Sequence, residues 1–206
     1  MRFEEWEPHY TAILDYFGFD REDDEEAARV LAALAPRDDR SLLTALCRGR
    51  DVTVCGNAPC LSGELPEING TVFAADAAAG VLYAHGIRPD AVFTDLDGAT
   101  DVFCEMNRKG TVMVVHAHGD NIRLLTHWVP RFDGPFVATT QARPLPGVHN
   151  FGGFTDGDRA VFAAHALGAR SVSIIGFDCD DPGVDPVKRG KLSWARRLLG
   201  LLGHDL

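Results

Sequence analysis

The sequence predicts an α/β protein: a doubly wound, mainly parallel sheet of about six strands, with a small helical region ahead of it. Three observations predict it. From Asp51 onward, apolar runs alternate with helical stretches, the pattern of a parallel sheet with helical crossovers. The run Thr111 to Val115 is almost wholly β-branched and apolar, as a strand buried on both faces must be. The stretch AADAAAGVLYAHGIRPDAVFTDLDG, Ala74 to Gly98, reads as strand, helix and strand, with carboxylates where both strands end.

Residues 1–50 form the helical N-terminal region and residues 51–206 the α/β body. Trp6, Tyr10, Ile13, Leu14 and Phe17 recur at helical spacing until Gly18, which marks Trp6 and Tyr10 as core. A second helix spans Asp23 to Leu34, acidic in its first turn as the helix dipole favours. Pro36 breaks it, and a third runs from Asp38 to Cys47. Asp51 to Cys55 is the first strand, and it enters the loop Gly56-Asn57-Ala58-Pro59. Small residues after a first strand let backbone amides approach an anion, although this is neither GxGxxG nor a P-loop. The strand Thr71–Ala75 ends in Asp76, and a helix from Ala77 to His85 follows. The strand Ala91–Thr94 ends in Asp95 and Asp97, with a helix over Thr100 to Lys109 behind it.

The strand Thr111–Val115 runs into His116-Ala117-His118-Gly119-Asp120-Asn121, and if the strand continues, period-2 geometry turns His116 and His118 the same way. The strand Phe136–Thr140 ends at Gln141. In NFGGFTDGD, Asn150 to Asp158, the glycines permit sharp turns, and Thr155 or Asp156 caps a helix from Gly157 to Leu167. Ser171 to Phe177 is the last clear strand, and a helix runs from Lys188 to Leu202. Its Lys188 and Lys191 are the lysines nearest the strand ends.

Composition narrows the function. A chain of 206 residues buries a real core. Its net charge of −10 argues against nucleic acid as a partner. No run reaches the roughly 18 apolar residues of a membrane span, and MRFEEWEPHY lacks a signal peptide's basic and apolar regions, so a soluble, cytoplasmic protein is expected. The five cysteines, without CxxC spacing, fit reduced thiols rather than a disulfide framework or a structural zinc. Only three of the 20 basic residues are lysines, and Asp outnumbers Glu, the balance of a salt-adapted, halophilic surface.

In open parallel sheets ligands bind beyond the carboxyl ends of the strands. Asp76, Asp95 and Asp97 should therefore converge on one crevice. Three carboxylates crowded together repel one another unless a hard cation such as Mg²⁺ sits among them, and such a cation usually faces phosphates.

The ordered segments GNAPCL, AADAAAGVLYAHGIRPDAVFTDLDG, VVHAHGDNI, TTQ, NFGGFTDGDRAVF and SIIGFD resemble the archaeal 6-hydroxymethyl-7,8-dihydropterin diphosphokinase family over nearly the whole chain. The AADxA…PDxxxTDLDG core is also similar to the catalytic domain of thiamine pyrophosphokinases, with Ala77 where the related pattern has glycine. The resemblance implies Mg²⁺-dependent transfer of diphosphate from ATP to the hydroxymethyl group of a reduced pterin, with AMP leaving, in tetrahydromethanopterin or folate synthesis. Under it Asp95 and Asp97, with Asp76, hold Mg²⁺, and Gly56, Asn57 and Pro59, with Lys188 and Lys191, hold ATP. His116 or His118 donates to phosphate oxygens, and Asp120 or a neighbouring histidine accepts the alcohol proton. Thr155, Asp156, Asp158 and Asn121 face the pterin, a carboxylate suiting its amino-pyrimidinone edge.

Three rivals stand beside this reading. TDLDG mimics the nucleophile motif of haloacid-dehalogenase-like phosphatases, but that motif normally sits on the first strand. HAHGDN approaches the HxHxDH of metallo-β-lactamase-like hydrolases, with Asn121 in place of the last ligand. The third is a non-catalytic nucleotide- or pterin-binding protein. Apolar surface on the N-terminal helices suits either a homo-oligomer contact or packing onto the sheet.

Overall fold

The computed structural model describes residues 1–205. Three helices come first: α1 (Phe3–Phe17), α2 (Arg21–Leu34) and α3 (Arg40–Cys47). The body then runs β1 (Asp51–Cys55), α4 (Leu61–Glu64), β2 (Thr71–Ala75), α5 (Ala78–Ala84), β3 (Ala91–Thr94), α6 (Asp101–Arg108), β4 (Val112–Ala117) and α7 (Ile122–Trp128). It continues with β5 (Phe136–Thr140), β6 (Val148–His149), α8 (Asp156–Ala166), β7 (Ser171–Ile175) and α9 (Pro186–Gly200).

The strands form one sheet in the order β6-β5-β4-β3-β2-β1-β7, and every neighbouring pair is parallel. The sheet has seven strands rather than about six. The extra one, β6, is two residues long at an edge, too short to show a period. Helix α7 was likewise unforeseen; it occupies the stretch between Asn121 and Phe136 where no element was expected. The third correction is β4, which runs two residues beyond Val115 and takes His116 into the strand.

Alternate residues of the strands enter two separate cores. Val72 and Ala74 of β2, Val92 of β3, and Met113 and Val115 of β4 pack with Leu31 of α2, Leu82 of α5, Phe103 of α6 and Leu125 of α7. Phe73, Phe93, Val112 and Val114, their chain neighbours, pack with Leu43 of α3, Val161 of α8 and Leu199 of α9. Helices thus cover both faces, and the continuous apolar runs follow from that. The hairpin α1–α2 straddles these layers. Trp6, Tyr10 and Ile13 of α1, all fully buried, belong to a third core with Phe162 of α8 and Leu198 of α9, while Ala27 and Leu31 of α2 lie on the opposite face. The junction between them, Gly18 to Asp20, therefore crosses the carboxyl ends of the strands. No helix among the described residues is long and apolar enough to cross a membrane.

Candidate active site: a carboxylate crevice at the strand ends

Because every strand is parallel, the segments after β1, β2, β3, β4, β5 and β7 emerge along one edge and line a crevice of about 640 Å³. Asp76, directly after β2, takes a left-handed backbone conformation with φ 44°, unusual for a residue with a side chain. It is held there by its N–H, which donates to Phe93 O at 2.7 Å, and by the Thr94 hydroxyl, which donates to its Oδ1 at 2.6 Å. Thr94 Oγ1 in turn accepts from Leu96 N at 2.7 Å, closing a tight turn in which Leu96 also lies at positive φ, 75°. Strain of this kind, about 1–3 kcal/mol per residue, persists where surroundings over-determine it and clusters at ligand sites. Gly98 completes the turn: a Cβ there would lie 2.0 Å from Asp76 Oδ2, so a side chain would displace the carboxylate.

Asp76, Asp95 and Asp156 each present one oxygen, all within 4.8 Å of one another. Asp156 is the first residue of α8 and was expected at the substrate; the structure brings it instead to the carboxylates of β2 and β3. Asp97 lines the same crevice outside that trio. Burial pushes Asp76 up to about 7, with the charges of Asp97 and Asp95 adding to it. Burial, then the charge of Asp95, raises Asp97 and holds Asp156 well above the carboxylate range. For Asp95 burial acts the same way, but the nearby His118 imidazole and the charge of Arg159 overcome it and hold Asp95 below its ordinary value. His118 Nε2 lies 3.4 Å from Asp95 Oδ2. Carboxylates that crowd until they retain protons form a donor set of hard oxygens short of positive charge, which suits a hard divalent cation.

The other expected residues divide. His118, Asp120, Thr155, Asn57, Pro59, Lys188 and Lys191 all line the crevice. Three do not. His116 is 2% exposed, and its ring is locked from below. Thr139 gives its one hydroxyl proton to Val115 O at 3.0 Å, so it must accept from His116 Nδ1 at 3.1 Å. Burial and the nearby Arg159 and His118 hold His116 far below the usual imidazole value, hence neutral. Its Nε2 is then a bare acceptor and cannot donate to a phosphate. Asp158 is spent on the α8 cap, accepting from Phe154 N at 2.9 Å, and from Thr155 N and Thr155 Oγ1 at 2.6 Å each. Asn121 joins two strand ends: its Nδ2 donates to Asp95 O at 2.8 Å and His116 O at 2.7 Å, and its Oδ1 accepts from His118 N.

The glycine loop also departs from expectation. Gly56 N donates to Ile175 O and Ala58 N to Gly176 O, both at 2.8 Å, so two amides expected to face an anion are paired with the β7 end. A Cβ on Gly56 would lie 2.5 Å from Gly176 O. Glycine is needed there because two backbones meet.

A family model described as 6-hydroxymethylpterin diphosphokinase MptE-like matches residues 31–183, a span that includes Asp76, Asp95, Asp97, His118 and Asp156. The chain belongs to this MptE-like family. Three curated relatives carry the name 6-hydroxymethyl-7,8-dihydropterin pyrophosphokinase. The protein from Methanothermobacter thermautotrophicus is 40% identical, over 100% of this chain and 97% of its own. That from Pyrococcus furiosus is 42% identical over 86% of this chain and 78% of its own. That from Methanocaldococcus jannaschii is 34% identical over 98% and 96%.

In this MptE-like chain the residue that sequence reasoning overlooked is Arg159. Its Nη1 donates to Asp156 Oδ1 at 2.9 Å, and its Nη2 bonds Phe154 O. It is 8% exposed and lines the crevice, a guanidinium set among the acids. A basic residue one helical turn after Asp156 was the available signal.

Proposed function

We propose that the protein transfers a diphosphate group from ATP to the hydroxymethyl oxygen of 6-hydroxymethyl-7,8-dihydropterin, releasing AMP, with Mg²⁺ held by Asp76, Asp95 and Asp156. Membership of the MptE-like family and the names of the relatives support the reaction. The observation that carries the site is the meeting of three carboxylate oxygens within 4.8 Å at the strand ends. In this reading residues 51–206 are the catalytic body, residues 1–50 wall one end of the crevice, and the protein works in the cytoplasm.

The pterin's alcohol oxygen bonds to the β-phosphorus of ATP while the bond from that phosphorus to the α,β-bridging oxygen breaks. The bridging oxygen and its electron pair leave on AMP, and the alcohol proton passes to a base. Asp120 and His118, both in the crevice wall after β4, are the groups placed to take it. Asp95, the trio's low member, keeps His118 oriented across 3.4 Å. When bound, Mg²⁺ neutralises charge on the phosphate oxygens. Lys188 and Lys191, on the wall formed by the start of α9, supply further positive charge for the triphosphate. The Asn57 side chain, exposed beside Gly56, is the remaining polar group of the first loop.

The direct test is an incubation with ATP, Mg²⁺ and 6-hydroxymethyl-7,8-dihydropterin. AMP and pterin diphosphate are expected in equal amounts. Release of ADP or inorganic phosphate in their place would overturn the reading.

The metal assignment has its own pH signature. Asp76 titrates near 7 when folded, against an ordinary carboxylate value when unfolded. Between those values the folded state binds more protons, so this group makes the metal-free protein less stable as pH rises through the window. A cation must displace the proton, so its binding strengthens as pH rises through about 7. At one hundred times its dissociation constant, Mg²⁺ should raise Tm by about 5–10 °C at pH 8. The shift should shrink markedly at pH 5.5. A shift independent of pH, measured by differential scanning calorimetry, would remove Asp76 from the site.

A further inference from the structure

The crevice is not symmetric about its carboxylates. With the strand order β6-β5-β4-β3-β2-β1-β7, Asp76 and Asp95 stand at the ends of two middle strands. On one side lie the loops after β1 and β7, and the segment following β7 carries both lysines of the crevice wall, together with Asp178 and Asp181. On the other side lie the ends of β4 and β5, closed by the start of α2. Asp24 fastens that closure: its carboxylate accepts from Gly119 N at 2.9 Å, from Gln141 Nε2 at 2.8 Å and from Tyr10 Oη at 2.7 Å. The wall on this side carries Asp20, Asp23 and Asp120 and no lysine. A triphosphate is repelled there; a neutral heterocycle rich in N–H donors is not.

Two further features of this end point to such a ring. Phe19, between α1 and α2, lies nearly parallel to Phe17, 10° between planes and 5.2 Å between centroids. It is still 37% exposed and lines the crevice, so a flat aromatic surface remains uncovered. Gln141, 4% exposed, also lines the crevice. Its amide is oriented by Asp24, which can only accept, so the NH₂ group must face that carboxylate. Its main-chain oxygen already accepts from Trp6 Nε1 at 2.8 Å and Asn150 Nδ2 at 2.9 Å. Its Oε1 has no partner among the described residues. A buried acceptor left unmatched is costly, and a ligand N–H that reaches it recovers that cost.

We infer that the pterin ring is bound at the α1–α2 junction, one face on Phe19, with Gln141 Oε1 accepting from the donor edge of its amino-pyrimidinone. This rests on the diphosphokinase reading and extends it, because it sets acceptor and nucleotide on opposite sides of the carboxylates. The hydroxymethyl group then points inward from the β4–β5 side toward a β-phosphate approaching from the β1–β7 side.

Steady-state kinetics of Phe19→Ala and Gln141→Leu, with each substrate varied in turn, test it. Each variant should raise KM for the pterin about tenfold or more and leave KM for ATP within about twofold. Phe19 is half-exposed, so its loss spares the fold even if Gln141→Leu weakens the Asp24 cluster. A rise in KM for ATP instead, or no change in either, would overturn the inference. Should the wild-type protein form no AMP from the two substrates, the diphosphokinase reading itself fails. Fluorescence titration with oxidised 6-hydroxymethylpterin then decides the subsite alone: tight binding to the wild type that Phe19→Ala weakens about tenfold supports it, and absence of wild-type binding ends it.

Discussion

Asp95→Asn is expected to lower turnover by at least about a thousandfold, equivalent to about 4 kcal/mol of transition-state stabilisation. Asp95 is the member of the trio that burial fails to protonate, because His118 and Arg159 keep it ionised. It is therefore the member of the trio that burial leaves most fully charged before any cation arrives. The substitution preserves shape: an amide oxygen at the same place still accepts from Asp97 N, now 3.2 Å from Asp95 Oδ1. Loss of activity thus reports charge rather than collapse of the turn. Calorimetric titration with Mg²⁺ should show binding weakened in parallel. Asp97→Asn is the internal comparison. Asp97 lies outside the trio, so its change should cost about tenfold. Turnover by Asp95→Asn within tenfold of wild type, at limiting Mg²⁺, would remove the trio from the reaction.

Arg159→Met should lower both stability and metal binding, by a different route. The guanidinium is the positive group bonded to Asp156, and both side chains of this pair are nearly enclosed, at 10% and 15% exposure. Removing the guanidinium leaves two enclosed acceptors, Asp156 Oδ1 and Phe154 O, without a donor, at about 3 kcal/mol together. For a chain of this size that corresponds to a fall in Tm of about 6–12 °C. The crevice also loses the charge that depresses Asp95, so Asp95 should titrate higher. A protein of unchanged Tm and Mg²⁺ affinity would show that Arg159 neither carries the pair's stability nor positions Asp156.

Much of this was readable before any coordinates. β2 and β3 announce themselves because each is a short, dominantly apolar run and each stops at Asp, and parallel pairing alone brings those stops to one edge. What one strand contributes is local information. Asp156 and Asp158 show where that information stops. They stand two positions apart at the start of one helix, chemically identical, yet one turns to the β2 and β3 carboxylates and the other caps its own helix. Only the docking of α8 against the sheet separates them. His116 and His118 repeat the lesson: alternation set them on one side, but the extension of β4 by two residues sank His116 beneath the wall. The glycine loop misled because Gly56 serves a backbone crossing, which a sequence expresses in the same way as an anion cradle. The part played by α1 and α2 was not legible at all. Their spacing shows an apolar face, and nothing in it says that the junction between them reaches the ends of β4 and β5.

The pairing of β1 with β7 bears on how the chain comes into being. Cys55 is registered against Ile175, so the two strands meet across more than half the sequence. During synthesis from the N-terminus, β1 can acquire β2 soon after it leaves the ribosome, yet its other edge stays bare until β7 emerges. An unpaired hydrophobic edge is a template for association with neighbouring chains, and late, distant pairings are slow to form. The nascent protein is thus vulnerable to aggregation until β7 arrives. The Gly56–Gly176 crossing, and with it one half of the crevice, can be built only after β7 has emerged.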